Sequence, residues 1–228
     1  VKPVIDDSLV LWLDGSTGNN YKNTGIWKDL SGNGNDGQLM NFDFTEDSGW
    51  VDGGLRFDGV KKKDYVLFSK EMLVQGCSFS IDFWTKLSGI GTNCFFCTRT
   101  VLGGGVAIFA LSDNKIRFDT GLRYQWQTSY GIPTNELVNI VVTKDNNYKK
   151  LYVNGKPYSS TGTVGDMSNL SNVSTIGASQ IDNQSYDNFF KGDIYSFRIY
   201  NRALTDEEIM QNYQAGQCSP LLAMRGDV

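Results

Sequence analysis

The chain has 228 residues, a formal net charge of −4 and no histidine. This length is enough for one β-sandwich domain with a sizeable core. A negative charge balance without basic clusters argues against nucleic-acid binding, because phosphate contacts need a positive surface. No apolar run approaches the roughly 18 residues of a membrane helix, so we predict no membrane insertion. Without histidine, neither a Ser-His-Asp triad nor a Cys-His pair can form.

The first half of the chain predicts short strands joined by polar turns. Residues 1–7 carry no pattern and are interpreted as a lead-in segment. Leu9–Leu13 is an almost unbroken apolar run, typical of a strand buried on both faces. The glycine- and asparagine-rich segment 31–37 can supply the positive φ angles of tight turns. Further strands are predicted at 38–44, 55–57, 65–68 and 78–86.

The middle of the chain continues this pattern. In segment 78–86, strict alternation points Phe83 inward and places Asp82 and Trp84 on the outward face. Asn154-Gly155 is the strongest hairpin dipeptide in the sequence. The remaining strands of this part are predicted at 94–98, 106–111, 115–119, 122–128, 136–144, 149–153 and 174–178.

The closing strand is predicted at residues 193–200. Aromatic and β-branched residues alternate there with polar ones, so Tyr195, Phe197 and Ile199 are expected on one face. About a dozen strands at 8–12 residue spacing predict an all-β fold, in which two antiparallel sheets pack face to face.

One short C-terminal helix follows the closing strand. Thr205 and Glu208 have the spacing of a capping box, in which each side chain accepts the other residue's backbone N–H. Gly216 stands where a helix normally stops. We therefore predict one domain over residues 8–216, followed by a tail at 217–228.

Four segments in order resemble laminin G-like, concanavalin A-like jelly-roll domains. Residues 191–209 are similar to the closing strand and helix of such domains, and residues 27–35, 55–59 and 151–155 to earlier motifs. The resemblance covers about residues 8–216 and implies the jelly-roll sandwich. The variants at 27–36 and 194–209 look like those of phage structural proteins.

Catalysis is not expected. Relatives on this fold that hydrolyse polysaccharides carry a motif resembling Glu-x-Asp-x-x-Glu, whose two glutamates act as nucleophile and acid. This chain has five glutamates and none forms that motif. We predict that the protein is not an enzyme.

Binding chemistry is concentrated in residues 123–130. Sugar sites combine an aromatic face with amide, carboxylate or guanidinium groups. Tyr124 and Trp126 share one face of the predicted strand and Arg123 lies on the other; either face could be the exposed one, and the aromatic pair could equally belong to the core. The candidate ligand-binding residues, completed by side chains predicted in loops, are Arg123, Tyr124, Trp126, Tyr130, Trp50, Asn183 and Tyr186.

The resemblance also implies a structural calcium ion. Many relatives hold calcium at the sheet edge through an aspartate in the closing strand. Here the positions that are acidic in the common pattern are Tyr195 and Ser196, and Asp193 could substitute as a hard oxygen ligand. We expect no required cofactor.

The four cysteines give little sign of a metal site. Cys94 and Cys97 have zinc-knuckle spacing, but no second pair follows. In a regular strand an offset of three places them on opposite faces. We predict free, partly buried thiols and assembly in a reducing cytoplasm.

The favoured function is a non-catalytic domain that binds carbohydrate or a cell surface. It would belong to a virion structural protein (head fibre, decoration or tail) or to a bacterial surface protein, displayed on a virion or outside the cell. Its expected partners are a glycan or host cell surface and other virion or fibre proteins. The alternative is a purely structural assembly domain, and a polysaccharide hydrolase is the third hypothesis.

Overall fold

The computed structural model describes residues 7–18, 24–73, 77–99, 104–121, 124–165, 167, 170–182 and 185–217. Two eight-stranded antiparallel sheets pack face to face around one main core, so the all-β sandwich prediction is confirmed. Sheet A contains, in spatial order, β14 (Lys156–Thr161), β13 (Lys149–Val153), β12 (Leu137–Lys144), β7 (Phe79–Leu87), β18 (Lys191–Tyr200), β5 (Gly54–Asp58) and β4 (Gly49–Val51), with β1 (Leu9–Asp14) also paired to β18.

Sheet B and the smaller elements complete the architecture. Sheet B contains, in spatial order, β11 (Gln125–Gly131), β10 (Lys115–Thr120), β9 (Val106–Ala110), β8 (Asn93–Arg99), β15 (Leu170–Ile176), β6 (Tyr65–Phe68), β3 (Gly37–Met40) and β2 (Ile26–Trp27). The others are the hairpin β16 (Ser179–Gln180) and β17 (Tyr186–Asp187), and the helices α1 (Gly15–Gly18) and α2 (Asp206–Gln217). Among the described helices, none is long and apolar enough to cross a bilayer.

Strand β18 organises sheet A. It pairs with β7 on one side, and on the other side with β5 along its first half and β1 along its second half. Only Lys191 of its ten residues is exposed. The predicted closing strand is therefore the central strand that joins both ends of the domain.

A β-bulge in β18 corrects the predicted alternation. Pairing with β7 shifts register between Ile194 and Ser196. Ile194 therefore belongs to the main core together with Phe197 and Ile199, whereas Tyr195 does not. The prediction that Tyr195 shares the face of Phe197 and Ile199 is wrong.

A second bulge corrects the cysteine prediction. Pairing of β8 with β9 shifts register between Cys94 and Phe96. Both cysteines are buried in the same small cluster, beside Phe109. The extra residue cancels the alternation, so the expectation that Cys94 and Cys97 face opposite ways is wrong. Cys77 is exposed, and Cys218 lies outside the described residues.

Helix α2 covers the outward face of sheet A. The capping box is present: the Thr205 N–H donates to Glu208 Oε2 at 2.9 Å and the Glu208 N–H donates to Thr205 Oγ1 at 3.3 Å. Trp84 stacks on Tyr213 with ring centroids 5.4 Å apart and is only 5% exposed. The outward direction of Trp84 was predicted correctly, but a helix rather than solvent lies above it.

Gly216 is a point of close contact inside α2. The helix continues to Gln217, so the predicted stop at Gly216 is wrong by one residue. A Cβ at this position would lie 2.8 Å from Trp84 Nε1. Glycine therefore lets the helix backbone approach the sheet.

Other differences concern the loops and chain ends. Residues 15–18 form the short helix α1, which was not predicted, and β11 lies three residues later than its predicted segment. The short strands β2, β4, β16 and β17 were not predicted. Asn154 and Gly155 have φ of 48° and 75°, as the predicted hairpin requires. Residues 1–6 and 218–228 lie outside the described part of the chain, so the lead-in and tail stay predictions.

Candidate functional site

Two edge strands meet along one long side of the sandwich. β11 is the edge of sheet B and β14 is the edge of sheet A. Tyr130 of β11 and Tyr158 of β14 form an edge-to-face pair with ring centroids 5.1 Å apart. The hydroxyls of Ser129 and Tyr158 lie 3.4 Å apart. Side chains from both sheets therefore form one continuous aromatic and hydroxyl surface.

The burial pattern of β11 decides which of its faces is open. Trp126 and Tyr130 are half-buried against the core, whereas Gln127 and Ser129 are exposed. Tyr124 is 38% exposed and Tyr158 is 46% exposed. We refer to Tyr124, Tyr130 and Tyr158 together as the tyrosine edge.

A shallow cavity adjoins the tyrosine edge. It has a volume of about 270 Å³ and is lined by Lys150, Pro157, Tyr158, Ser159 and Ser160. Its wall offers an ammonium group and two hydroxyls beside the Tyr158 ring. An aromatic face next to hydrogen-bonding groups is the combination that sugar binding needs.

A buried lysine fixes the start of β11 to the interior. Lys149 Nζ donates to the carbonyl oxygens of Tyr124 at 2.7 Å and Phe118 at 3.2 Å. Burial lowers the pKa of Lys149 to about 8, against an opposing effect from Asp119. Burial also raises the pKa of Tyr130, with smaller contributions from nearby Glu136 and Tyr158.

The predicted ligand residues do not form one site. Trp126 and Tyr130 lie on β11 and Tyr124 immediately precedes it, but only Tyr124 is exposed, because Trp126 and Tyr130 pack against the core. Trp50 lies on β4 and packs edge-to-face on Trp27 at 5.6 Å. Tyr186 lies on β17 with its ring 4.5 Å from that of Tyr65. Arg123 and Asn183 lie outside the described residues.

The surroundings of Asp193 do not fit a calcium ligand. Arg56 forms a two-pronged ion pair with its carboxylate at 2.7 and 3.0 Å, and the Tyr195 hydroxyl donates to it at 3.1 Å. A cation would therefore compete with a guanidinium already in place. Within the described residues, no three acidic or cysteine side chains cluster as metal ligands. Calcium at Asp193 stays a prediction, which thermal melting with and without a chelator would test.

The sequence analysis missed Tyr158, Ser129 and Lys150. Tyr158 follows the Asn154-Gly155 turn, and a strand after that turn was foreseeable. The contact of Tyr158 with Tyr130 was not, because it depends on the order of strands in two sheets.

A second concave region lies around the turn after β2. Asp29 holds this turn to β1: its Oδ1 accepts the Trp12 N–H at 3.0 Å and its Oδ2 accepts the Asn35 N–H at 2.8 Å. Two cavities, of about 540 and 430 Å³, open beside it and share the wall residues Asn35, Lys70 and Met72. We refer to them as the paired cavities.

The described strands carry no glutamate. All five glutamates fall within the described residues, and none lies in a strand. Asp82, the carboxylate of β7, is 2% exposed and pairs with Arg198 at 3.2 Å beneath α2.

Two antiparallel sheets, a central closing strand and a covering helix define a lectin-type jelly-roll sandwich. A family model described as the concanavalin A-like lectin/glucanases superfamily matches residues 58–210. The chain belongs to this superfamily. No curated protein matches it by sequence.

Several solved structures share this fold. The botulinum neurotoxin serotype D binding domain matches with a TM-score of 0.67 and 19% identity, over 94% of this chain and 53% of that one. A botulinum neurotoxin type C structure, whose description names two ganglioside molecules, matches with a TM-score of 0.67 and 19% identity, over 92% and 52%. The botulinum neurotoxin DC binding domain in complex with rat synaptotagmin II matches with a TM-score of 0.68 and 17% identity, over 94% and 53%.

These similarities establish the fold. The chain spans about half the length of the neurotoxin binding domains. Ganglioside and synaptotagmin binding belong to those whole proteins, and at this identity the likeness concerns architecture.

Proposed function

We propose that this chain is a glycan-binding domain and that the tyrosine edge is its binding surface. The observation that carries the proposal is the meeting of Tyr130 and Tyr158 from opposite sheets, with Tyr158 nearly half exposed. Two aromatic rings at one surface provide a rigid place for the apolar face of a pyranose.

The tyrosine edge suits an extended saccharide rather than a single ring. Tyr124 immediately precedes β11 and Tyr130 lies near the end of β11, so the two rings stand at different places along the edge. Gln127 and Ser129 project outward between them, and Lys150 lines the adjoining cavity. Exposed amides and hydroxyls can both donate to and accept from sugar hydroxyls.

The proposed domain binds its glycan without cleaving it. Support comes from the absence of glutamate from the described strands and from the burial of Asp82 in an ion pair. Incubation with laminarin-like and capsular polysaccharides, followed by a reducing-end assay, tests this. Release of new reducing ends above that of a heat-inactivated sample would overturn it.

The setting that we propose is the surface of a virion or of a bacterial cell. It is supported by the similarity of segments 27–36 and 194–209 to motifs of phage structural proteins. In this setting the glycan would belong to a host cell, and fibre or capsid proteins would be further partners. Binding of the labelled protein to whole cells of candidate hosts tests this proposal.

A glycan array with two variants tests the binding surface. Tyr158→Ala removes the exposed ring of the pair, so we expect binding to weaken at least about tenfold. Tyr148→Ala is the matched control, because Tyr148 is 49% exposed and lies in the turn before β13. Equal binding by Tyr158→Ala and the unaltered protein would contradict the tyrosine edge.

A second candidate function, protein assembly, is favoured by two exposed aliphatic side chains. Val60 is 76% exposed and Ile90 is 87% exposed. Both are next to glycines, Gly59 and Gly89, whose Cβ positions would lie 3.0 Å from Lys191. Two turns therefore present apolar tips at one end of the sandwich, a feature that interfaces often use.

Size-exclusion chromatography with light scattering tests the assembly function. An oligomer that dissociates in the double variant Val60→Ser/Ile90→Ser would support it. A monomer at all accessible concentrations, with glycan binding intact, would leave glycan binding as the function.

A further inference from the structure

The paired cavities form one concave region at the edge of sheet B opposite to β11. The larger cavity lies over β3 and the end of β6, and the smaller one lies between β1 and the start of β7. Lys70 and Met72 stand between them. The volumes of about 540 and 430 Å³ both fall within the range of small-molecule sites, roughly 300–1,000 Å³.

The walls provide both hydrogen-bond donors and acceptors. Lys70 and Gln38 are exposed and present an ammonium and an amide group to the larger cavity. Asn33 and Glu71 present an amide and a carboxylate to the smaller one. The larger cavity also has an apolar wall, to which the half-buried side chains Ile26 and Leu67 contribute.

The charges of the walls nearly cancel. Asp36 is neutralised by an ion pair with Lys28. Lys70 pairs with no carboxylate of the described residues, and Glu71 supplies one negative charge in the neighbouring wall. A region without net charge does not favour a phosphate group or a metal ion. Hydroxyl groups suit it, because each can donate and accept.

Asn35 indicates that one hydrogen bond is missing in the shared wall. It is 5% exposed, and its Nδ2 donates to the Val10 carbonyl at 2.7 Å. Its Oδ1 is buried and accepts no hydrogen bond from any residue that the structure describes. Buried acceptors are normally satisfied by the protein, by water or by a ligand.

We propose that the paired cavities bind a neutral disaccharide, with one ring in each cavity and Lys70 donating to oxygen atoms near the linkage. The apolar face of one ring lies on the wall that includes Ile26 and Leu67. A hydroxyl, or a water molecule held by it, supplies the donor for Asn35 Oδ1. This second site is separate from the tyrosine edge, so either site can fail without the other.

Two-dimensional ¹⁵N NMR of the whole chain tests this proposal. The probes are lactose, maltose and mannobiose, with a uronic-acid disaccharide as the charged comparison. We expect a neutral disaccharide to shift the side-chain amide signals of Asn35 and Gln38. Lys70→Met should weaken that binding about tenfold, or about 1.4 kcal/mol.

Three variants separate the possible outcomes. Lys61→Met is the matched control, because Lys61 is 69% exposed and lines neither cavity, and it should bind normally. Tyr158→Ala should also leave the Asn35 and Gln38 shifts unchanged. The proposal is overturned if no neutral disaccharide shifts these amides, if only the acidic one does, or if Lys70→Met binds as tightly as the unaltered protein.

Discussion

The outward face of sheet A and the tyrosine edge carry similar chemical groups, but the first is buried beneath α2 and the second is exposed to solvent. Beneath α2, Trp84 stacks on Tyr213, and the ion pair of Asp82 with Arg198 is nearly inaccessible to solvent. Along the edge, Tyr158 packs on Tyr130 but keeps 46% of its surface exposed. Both regions place aromatic rings beside hydrogen-bonding groups.

The difference between them shows that an element packed over a surface leaves its polar groups to bind each other. Beneath the helix, polar groups bind each other: Asn139 Nδ2 donates to Asp82 Oδ1 at 2.7 Å, and Asn212 Nδ2 donates to the Tyr200 hydroxyl at 3.0 Å. At the edge, no element of the described part of the chain packs over Tyr158, so its hydroxyl and the nearby amides remain available to a ligand. The same residue types are structural in one region and candidates for binding in the other.

Breaking the covered ion pair should have the largest effect. Asp82→Asn leaves the Arg198 guanidinium buried without its counter-charge, so we expect a loss of about 3–5 kcal/mol in the free energy of unfolding. Urea denaturation measures it. The control is Asp113→Asn, which breaks an exposed pair with Lys115 and should cost less than about 1 kcal/mol. Equal losses of unfolding free energy in the two variants would show that burial beneath α2 does not strengthen the contribution of the Asp82–Arg198 pair to stability.

The sequence predicted which face of the sheet a residue occupies better than it predicted which element packs over that face. Alternation in β7 correctly turned Asp82 and Trp84 outward. It could not show that α2 lies above them, because docking of the helix depends on contacts with β12, β13 and β18 that are distant in the chain.

The two bulges and the tyrosine edge could not be predicted from the sequence, for a related reason. A bulge is set by register with a partner strand, so Tyr195 and Cys97 looked like members of regular strands. Composition identified residues 123–130 as rich in binding chemistry. It did not identify Tyr158, whose role arises only where β11 and β14 come together.

The tyrosine edge has a buried charge of its own, and its effect depends on pH. Below pH 8 Lys149 is protonated in both the folded and the unfolded chain, so the cost of burying the ammonium is fully present. Between pH 8 and its ordinary pKa of 10.5, the folded chain loses the proton first. Stability should therefore rise with pH across this window, by on the order of 2 kcal/mol.

Denaturant unfolding at pH 8, 9 and 10 measures this rise against the variant Lys149→Met. The subtraction removes the contributions of thiols and tyrosines, which are the same in both proteins; burial raises the pKa of Tyr65, for example, to about 12. The variant should lack the rise. The same slope in both proteins would place the titrating group elsewhere.

Adding a side chain where the backbone of α2 contacts Trp84 should have a smaller effect on the free energy of unfolding. Gly216→Ala adds a Cβ against Trp84, which moves the helix away from the sheet, but alanine also favours helix more than glycine does. We expect a net loss of about 1–2 kcal/mol and a change in near-ultraviolet circular dichroism from Trp84. Gln211→Ala, on the exposed side of α2, should change neither. Greater stability in Gly216→Ala would mean that the contact is loose.

The smallest effect on stability should come from the residue with the largest effect on binding. Tyr158→Ala loses an edge-to-face contact with Tyr130, which is worth about 1 kcal/mol at most for a side chain that is nearly half exposed. Thermal melting should therefore place it close to Tyr148→Ala, although only Tyr158→Ala loses glycan binding. A loss above about 2 kcal/mol in the free energy of unfolding would instead make Tyr158 a structural residue like Trp84. Its ring would then hold the two sheet edges together, and weaker glycan binding by the variant could not be assigned to a lost ligand contact.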